Sequence, residues 1–236
     1  MNEIALSQLE EGEEWCLPAE PMTKFDLQLF LRDRGEHPRE FSFYLHYSKG
    51  PKEVFEIVVD DIEKNIQVRK GFDGKNYWLE EQGKTKTILS GHEYTEDRAA
   101  IEDGINLSND LLLFLDFKQF SKKYPPEKII FGENNLRTIS GTLVRKGERW
   151  DYSIKSKDKE LPFQIDFSKK NNEGKRIDYQ RFELLAYKAY QGRKIPQIIY
   201  EFQPEEKLPS RIYEIHDIVW GPIPSDDKKL SPDPRN

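Results

Sequence analysis

Apolar and polar residues alternate with a period of two through most of this chain, and that rhythm excludes more folds than any motif in it. Phe25, Leu27, Leu29 and Leu31 point one way, with Asp26, Gln28 and Arg32 the other. The segment "FSFYLHY" repeats the pattern, with Phe41, Phe43, Leu45 and Tyr47 set against Ser42 and His46. A period of two puts successive side chains on opposite faces of a pleated strand, so such segments read as half-buried strands. Turn signals recur between them at "RDRGEHP", "SKGPK", Asp73-Gly74 and "EQGK". The first third therefore reads as an antiparallel meander of about six strands. Asp73-Gly74 reads as a two-residue hairpin, because Gly accepts positive φ and Asp tolerates it.

Residues 95–120 break the rhythm. Thr95 reads as an N-cap followed by Glu96 and Asp97, and Ser108 as the cap of a second helix over 108–120, with Gly104 separating the two. The second segment carries Leu111, Leu112, Leu113, Phe114, Leu115 and Phe117, apolar on nearly all sides. Such a helix is covered on more than one side. Strands resume at "LRTISGTLVRK" and continue through "RWDYSIKSK", "LPFQIDFSKK", "KRIDYQRFELLAYKAY", "KIPQIIYEFQ" and "PSRIYEIHDIVWG". Residues 1–22 read as a polar lead-in with a short helical turn, 23–221 as a single domain with a helical insert at 95–120, and 222–236 as a loose tail.

An antiparallel sheet of around a dozen strands is too wide to stay flat, so it curls. The fold class expected is mainly β: a curled sheet forming an unclosed β-barrel, with the insert as a helical lid or plug over its concave face. Residues 23–90 and 135–220 are expected to form one continuous sheet.

Composition narrows the functions. Of 236 residues, 34 % are charged with a net charge of −6 and both signs interspersed, so no basic face for nucleic acid is evident. No apolar run is long enough to span a membrane. The one cysteine, Cys16, excludes an intrachain disulfide and a Cys-rich metal site. Glu13, Glu14 and Trp15 before it do not suit a lipid-modified cysteine. The four histidines have no metal-ligand spacing, and neither a nucleophile elbow nor a phosphate-binding glycine loop is present. No cofactor, metal or catalytic residue is expected. An enzyme reading would need His46 and His216 to converge with the Glu93–Asp97 turn.

The segment "FDGKNYWL", followed by "EEQGKTKTIL" and then a helical insert, resembles the bacterial outer-membrane lipoprotein-sorting family, which includes the periplasmic lipoprotein carriers. The terminal "IYEIHDIVWGPIP" resembles it more weakly. The resemblance implies an unclosed barrel that binds acyl chains under a helical lid. It implies a carrier-like, non-catalytic binding protein of the cell envelope, taking a lipid, an acylated protein or another apolar ligand, with an envelope protein as a possible partner. Its location would be periplasmic or otherwise exported, although the acidic start is no signal peptide and leaves a cytoplasmic location open. Residues expected to line the cavity are Phe43, Trp78, Trp150, Phe182 and Tyr200 from the strands, with Leu111, Phe114 and Leu115 on the lid. The alternative is a structural or protein-interaction module whose helix only fills the barrel.

Overall fold

The structure, a computed structural model, describes residues 24–34, 39–49, 52–61, 66–115, 120–121, 123–145, 147–157, 161–171, 173–190, 193–204 and 206–220. The lead-in 1–22 with Cys16, the tail 222–236 and residues 116–119 of the predicted helix lie outside them.

The alternating segments form the predicted strands. The first meander comprises β1 (Lys24–Asp33), β2 (Arg39–Lys49), β3 (Glu53–Asp61), β4 (Ile66–Phe72), β5 (Tyr77–Glu81) and β6 (Thr87–Ile88). Helix α1 (Thr95–Leu115) follows. The second meander comprises β7 (Lys128–Phe131), β8 (Leu136–Arg145), β9 (Glu148–Lys157), β10 (Pro162–Lys170), β11 (Arg176–Tyr190), β12 (Arg193–Phe202) and β13 (Arg211–Trp220). The short strand β7 at "KIIF", just after the two prolines, was not expected; four residues are too few to show alternation. All thirteen strands form one antiparallel sheet in the order β6-β5-β4-β3-β2-β1-β13-β12-β11-β10-β9-β8-β7. The two meanders join where β1 pairs with β13, so the sheet is continuous as expected. Its end strands, β6 and β7, do not pair with each other, so the barrel is unclosed.

The helix measures the curl. Tyr77 on β5 donates its hydroxyl to Glu102 of α1, and Arg145 on β8 donates to Asp110. These strands stand second and twelfth in the sheet order. In a flat sheet, ten strand spacings would separate them by roughly 48 Å, whereas eight helical residues advance only about 12 Å. Two side-chain pairs cannot bridge the difference, so the sheet wraps around α1. A bulge helps it bend, where the β1–β13 register slips between Gln28 and Leu29.

Two local expectations are corrected. The turn at Asp73 spans four residues, not two, since β4 ends at Phe72 and β5 begins at Tyr77. Gly74 does take φ 88°, and the Asp73 carboxylate accepts the N–H groups of Lys75 and Asn76. Its side chain thus stabilises a longer loop through two local hydrogen bonds. Over residues 95–115 the helical insert is one helix, not two. It runs unbroken through Gly104, because Phe55 on β3 packs flush against that glycine; a Cβ there would stand 2.4 Å from the ring. Ser108 is no cap: its hydroxyl donates to the Gly104 carbonyl within the helix. Thr95 likewise bonds back to the His92 carbonyl, closing a short 3-10 turn at His92–Tyr94.

Candidate functional site

The concave face follows from register. Phe25, Tyr47, Phe55, Phe72 and Tyr77 pair in succession across β1 to β5, so five aromatic rings form one inward row. On β1, Leu27 and Leu29 continue that face, and Leu45 and Phe43 do so on β2. In the second meander, Ile154, Ile165 and Phe182 lie in register across β9, β10 and β11. Tyr152 and Phe167 form the next inward pair. Together with the buried residues of α1, these side chains belong to one hydrophobic core.

Helix α1 presents three lines of residues to this concavity. Ile101, Gly104, Ser108, Leu111 and Leu115 repeat at three- and four-residue spacing and form the buried stripe. Glu102 and Asn109, one flank, face the first meander. The Tyr47 hydroxyl bonds to Glu53 at 2.6 Å and to Asn109 at 3.0 Å, and Tyr77 reaches Glu102 at 3.0 Å. Burial, followed by the adjoining Glu53 carboxylate, pushes the Tyr47 hydroxyl well above the ordinary phenol range.

The other flank, Asp110 and Phe114, faces the second meander. Phe114 meets Phe182 with ring centroids 4.8 Å apart and Phe167 at 6.3 Å. Asp110 accepts from Nε of Arg145 at 2.8 Å and from a second guanidinium nitrogen, a two-pronged buried ion pair. The third Arg145 nitrogen donates to Gln180 of β11. Gln180 donates to Glu201 of β12 at 3.2 Å, and the Tyr213 hydroxyl of β13 donates to the same carboxylate at 2.5 Å. Burial and the Glu201 carboxylate raise the Tyr213 hydroxyl far above its usual range. Arg211 lies 3.9 Å from Glu201 and 3.4 Å from Asp33 at the end of β1. A polar chain thus runs along one end of the concavity from β1 to the helix, in an interior that also buries Arg137 and Ser156.

Six residues named from the sequence meet in this core: Phe43, Leu111, Phe114, Leu115, Trp150 and Phe182. Two do not. Trp78 pairs with Gly71, which pairs with Glu56, and that row lies on the outer face opposite Phe72 and Tyr77. Its indole lies over Gly71, whose Cβ would stand 2.9 Å from the ring, and under the Lys86 ammonium. Tyr200 pairs with Ile212 and Glu183 on the outer face, beside Phe202, while its neighbour Ile199 points inward and is fully buried. In each case an adjacent residue, Tyr77 or Ile199, takes the inward place. The polar members Asp110, Arg145, Gln180 and Glu201 were missed. The signal for Arg145 was present: it continues the inward line of Ile139, Gly141 and Leu143 on β8, so alternation alone places a cation inside.

His46 on the outer face bonds to Asp26 at 2.6 Å, and His216 is the exposed bulge residue of β13, flanked by the paired Ile215 and Asp217. Among the described residues no group of three or more His, Cys, Asp or Glu could hold a metal ion, and no helix is long and apolar enough to cross a membrane.

No protein-family model matches the sequence, and no curated protein does. Solved structures do match in shape. A LolA superfamily protein from Nitrosomonas europaea aligns over 93 % of this chain and 94 % of its own, with 11 % identity and a TM-score of 0.53. A DUF1329 family protein from Desulfovibrio piger aligns over 95 % and 93 %, with 11 % identity and a TM-score of 0.52. At these identities the likeness is one of fold: a wide antiparallel sheet, curled and unclosed, is common to this chain and the LolA superfamily structure.

Proposed function

We propose that this protein is a non-catalytic binding or carrier protein for a long apolar chain, a lipid or an acylated protein, in the bacterial cell envelope. The observation that carries the reading is how α1 sits. Its backbone approaches β3 and β4, with Gly104 seated against the Phe55 ring. On the opposite flank the distance to β8–β11 is spanned by long side chains: Arg145, Phe114, Phe167 and Phe182. Side chains that span a gap can turn aside by changing rotamer, whereas a backbone seated on a ring cannot. An acyl chain would enter on that flank, between helix and sheet, with Trp150 and Phe182 on its strand side and Leu111, Phe114 and Leu115 on its lid side, and run on towards Phe43 of β2. Apolar walls with a few polar groups at one end are the usual make-up of such a site.

The fold shared with the LolA superfamily protein and the resemblance of residues 72–79 to the lipoprotein carriers support an envelope location and a transport role. The same fold supports an envelope protein as the partner that delivers or receives the ligand. Organic extraction of the purified protein followed by mass spectrometry tests the reading. A co-purifying amphiphile is expected. A protein that yields none and also ignores a fluorescent fatty-acid probe would instead be an interaction module whose helix only fills the barrel.

A further inference from the structure

The inference here rests on the carrier reading and concerns the ligand's head group. Two observations meet at one place on the concave face. The first is the ion pair between Arg145, 7 % exposed, and Asp110, 8 % exposed. The second is Trp150, 4 % exposed, whose indole Nε1 has no acceptor among the described residues. The Arg145 guanidinium carbon lies 5.3 Å from the Trp150 ring centroid and 4.9 Å from that of Phe167. Guanidinium and indole are donors only. Buried donors without acceptors are rare in folded proteins. This corner therefore offers an excess of N–H groups, and its apolar wall is Phe114 and Phe167.

The geometry points to a head-group site for a free fatty carboxylate, with Asp110 holding the place that the ligand's carboxylate takes. The planar fork of Arg145 is already matched in two-pronged fashion by a carboxylate. If α1 moved away with Asp110, the buried cation would lose its partner, which is strongly unfavourable unless another anion replaces it. A ligand carboxylate restores the pairing, and Asp110, carried out on α1, returns to water. Each ligand oxygen keeps a further lone pair once the fork is made, an acceptor for the corner that holds Trp150 Nε1. An acyl chain in ester or amide linkage brings a carbonyl oxygen but no charge, so it fits this corner less well. Gln180 stands between Arg145 and Glu201, accepting from the guanidinium and donating to the carboxylate.

Calorimetric titration of the full chain with laurate and with methyl laurate separates the two ideas. Laurate is expected to bind at least about tenfold more tightly than its ester. Asp110→Asn should widen that ratio, and Arg145→Met should bring it to about one. Equal binding of acid and ester by the unaltered protein overturns the head-group site and leaves the carrier reading standing. Binding of neither overturns both. The unaltered protein alone decides the question, so a variant that fails to fold does not remove the test.

Discussion

Gly104 and Asp110 lie less than two turns apart on α1, yet they attach it to the sheet by different means. Gly104 has no side chain, and its backbone rests against the Phe55 ring of the first meander. Asp110 reaches outward to a guanidinium that has itself extended from β8. The first attachment is short-range packing, sensitive to a single added methyl group. The second is a buried charge pair, which contributes little net stability over an apolar replacement but is costly to break on one side. If α1 opens as proposed, the second flank is the one to part. Dispersion contact is lost within a fraction of an ångström, whereas a carboxylate–guanidinium pair can be exchanged for another pair of the same kind.

The largest effect should come from halving the ion pair. Asp110→Leu alone is expected to destabilise the fold by about 3–5 kcal/mol, and Asp110→Leu with Arg145→Met to recover most of that loss. Urea unfolding of the two proteins measures it. Equal stability of single variant and parent would show that water reaches Arg145 and that the second flank is not a closed, charged contact.

Gly104→Ala probes the other flank. The new methyl must displace the Phe55 ring, and overpacking of this kind costs roughly 1–3 kcal/mol. Shortening the ring with Phe55→Leu in the same chain should return part of it. A neutral Gly104→Ala would mean that α1 is free to shift on the first meander, and the contrast between its two flanks would vanish.

High pH acts on both flanks. The hydroxyls of Tyr47, beside the first meander, and of Tyr213, in the second, are raised above the ordinary value of about 10 by burial and then by their carboxylate partners. A folded-state pKa above the unfolded one adds stability that is complete below about pH 10 and lost as pH rises towards the folded value. Each should contribute a slope of up to about 1.4 kcal/mol per pH unit there. Denaturant midpoints between about pH 9 and 11 check this, with Tyr47→Phe and Tyr213→Phe each expected to flatten the curve.

Tyr77→Phe should have the smallest effect. Its bond to Glu102 lies at the exposed edge of the helix, so its loss should cost no more than about 1 kcal/mol in a thermal melt.

The sheet that carries this contrast was legible in the sequence, whereas both attachments of α1 were not, for a common cause. Alternation showed which residues share a strand face, and the inward lines Phe25–Leu31 and Phe41–Tyr47 stand as read. It could not choose between two large neighbours, so Trp78 and Tyr200 were assigned inward when Tyr77 and Ile199 hold those places. For Trp78 the missing information was non-local: Gly71 leaves a flat bed for the indole on the outer face. Gly104 was read as a helix break because its local cost is about 1 kcal/mol relative to alanine. The contact that outweighs this cost comes from Phe55, far away in sequence. Arg145 shows the opposite error. Its inward position was readable from Ile139 and Leu143, but a cation inside becomes sensible only when Asp110 is known to face it.

The central claim is that α1 covers the concave face as a lid that opens at lower cost than the sheet unfolds, and that an apolar ligand holds it. Native-state hydrogen exchange measures that cost directly. The amides of residues 108–115 should exchange faster than those of 41–47 in β2, and laurate should slow the helix without changing the strand. Helix protection equal to that of β2 and unaltered by laurate would contradict the account and make α1 a fixed structural plug.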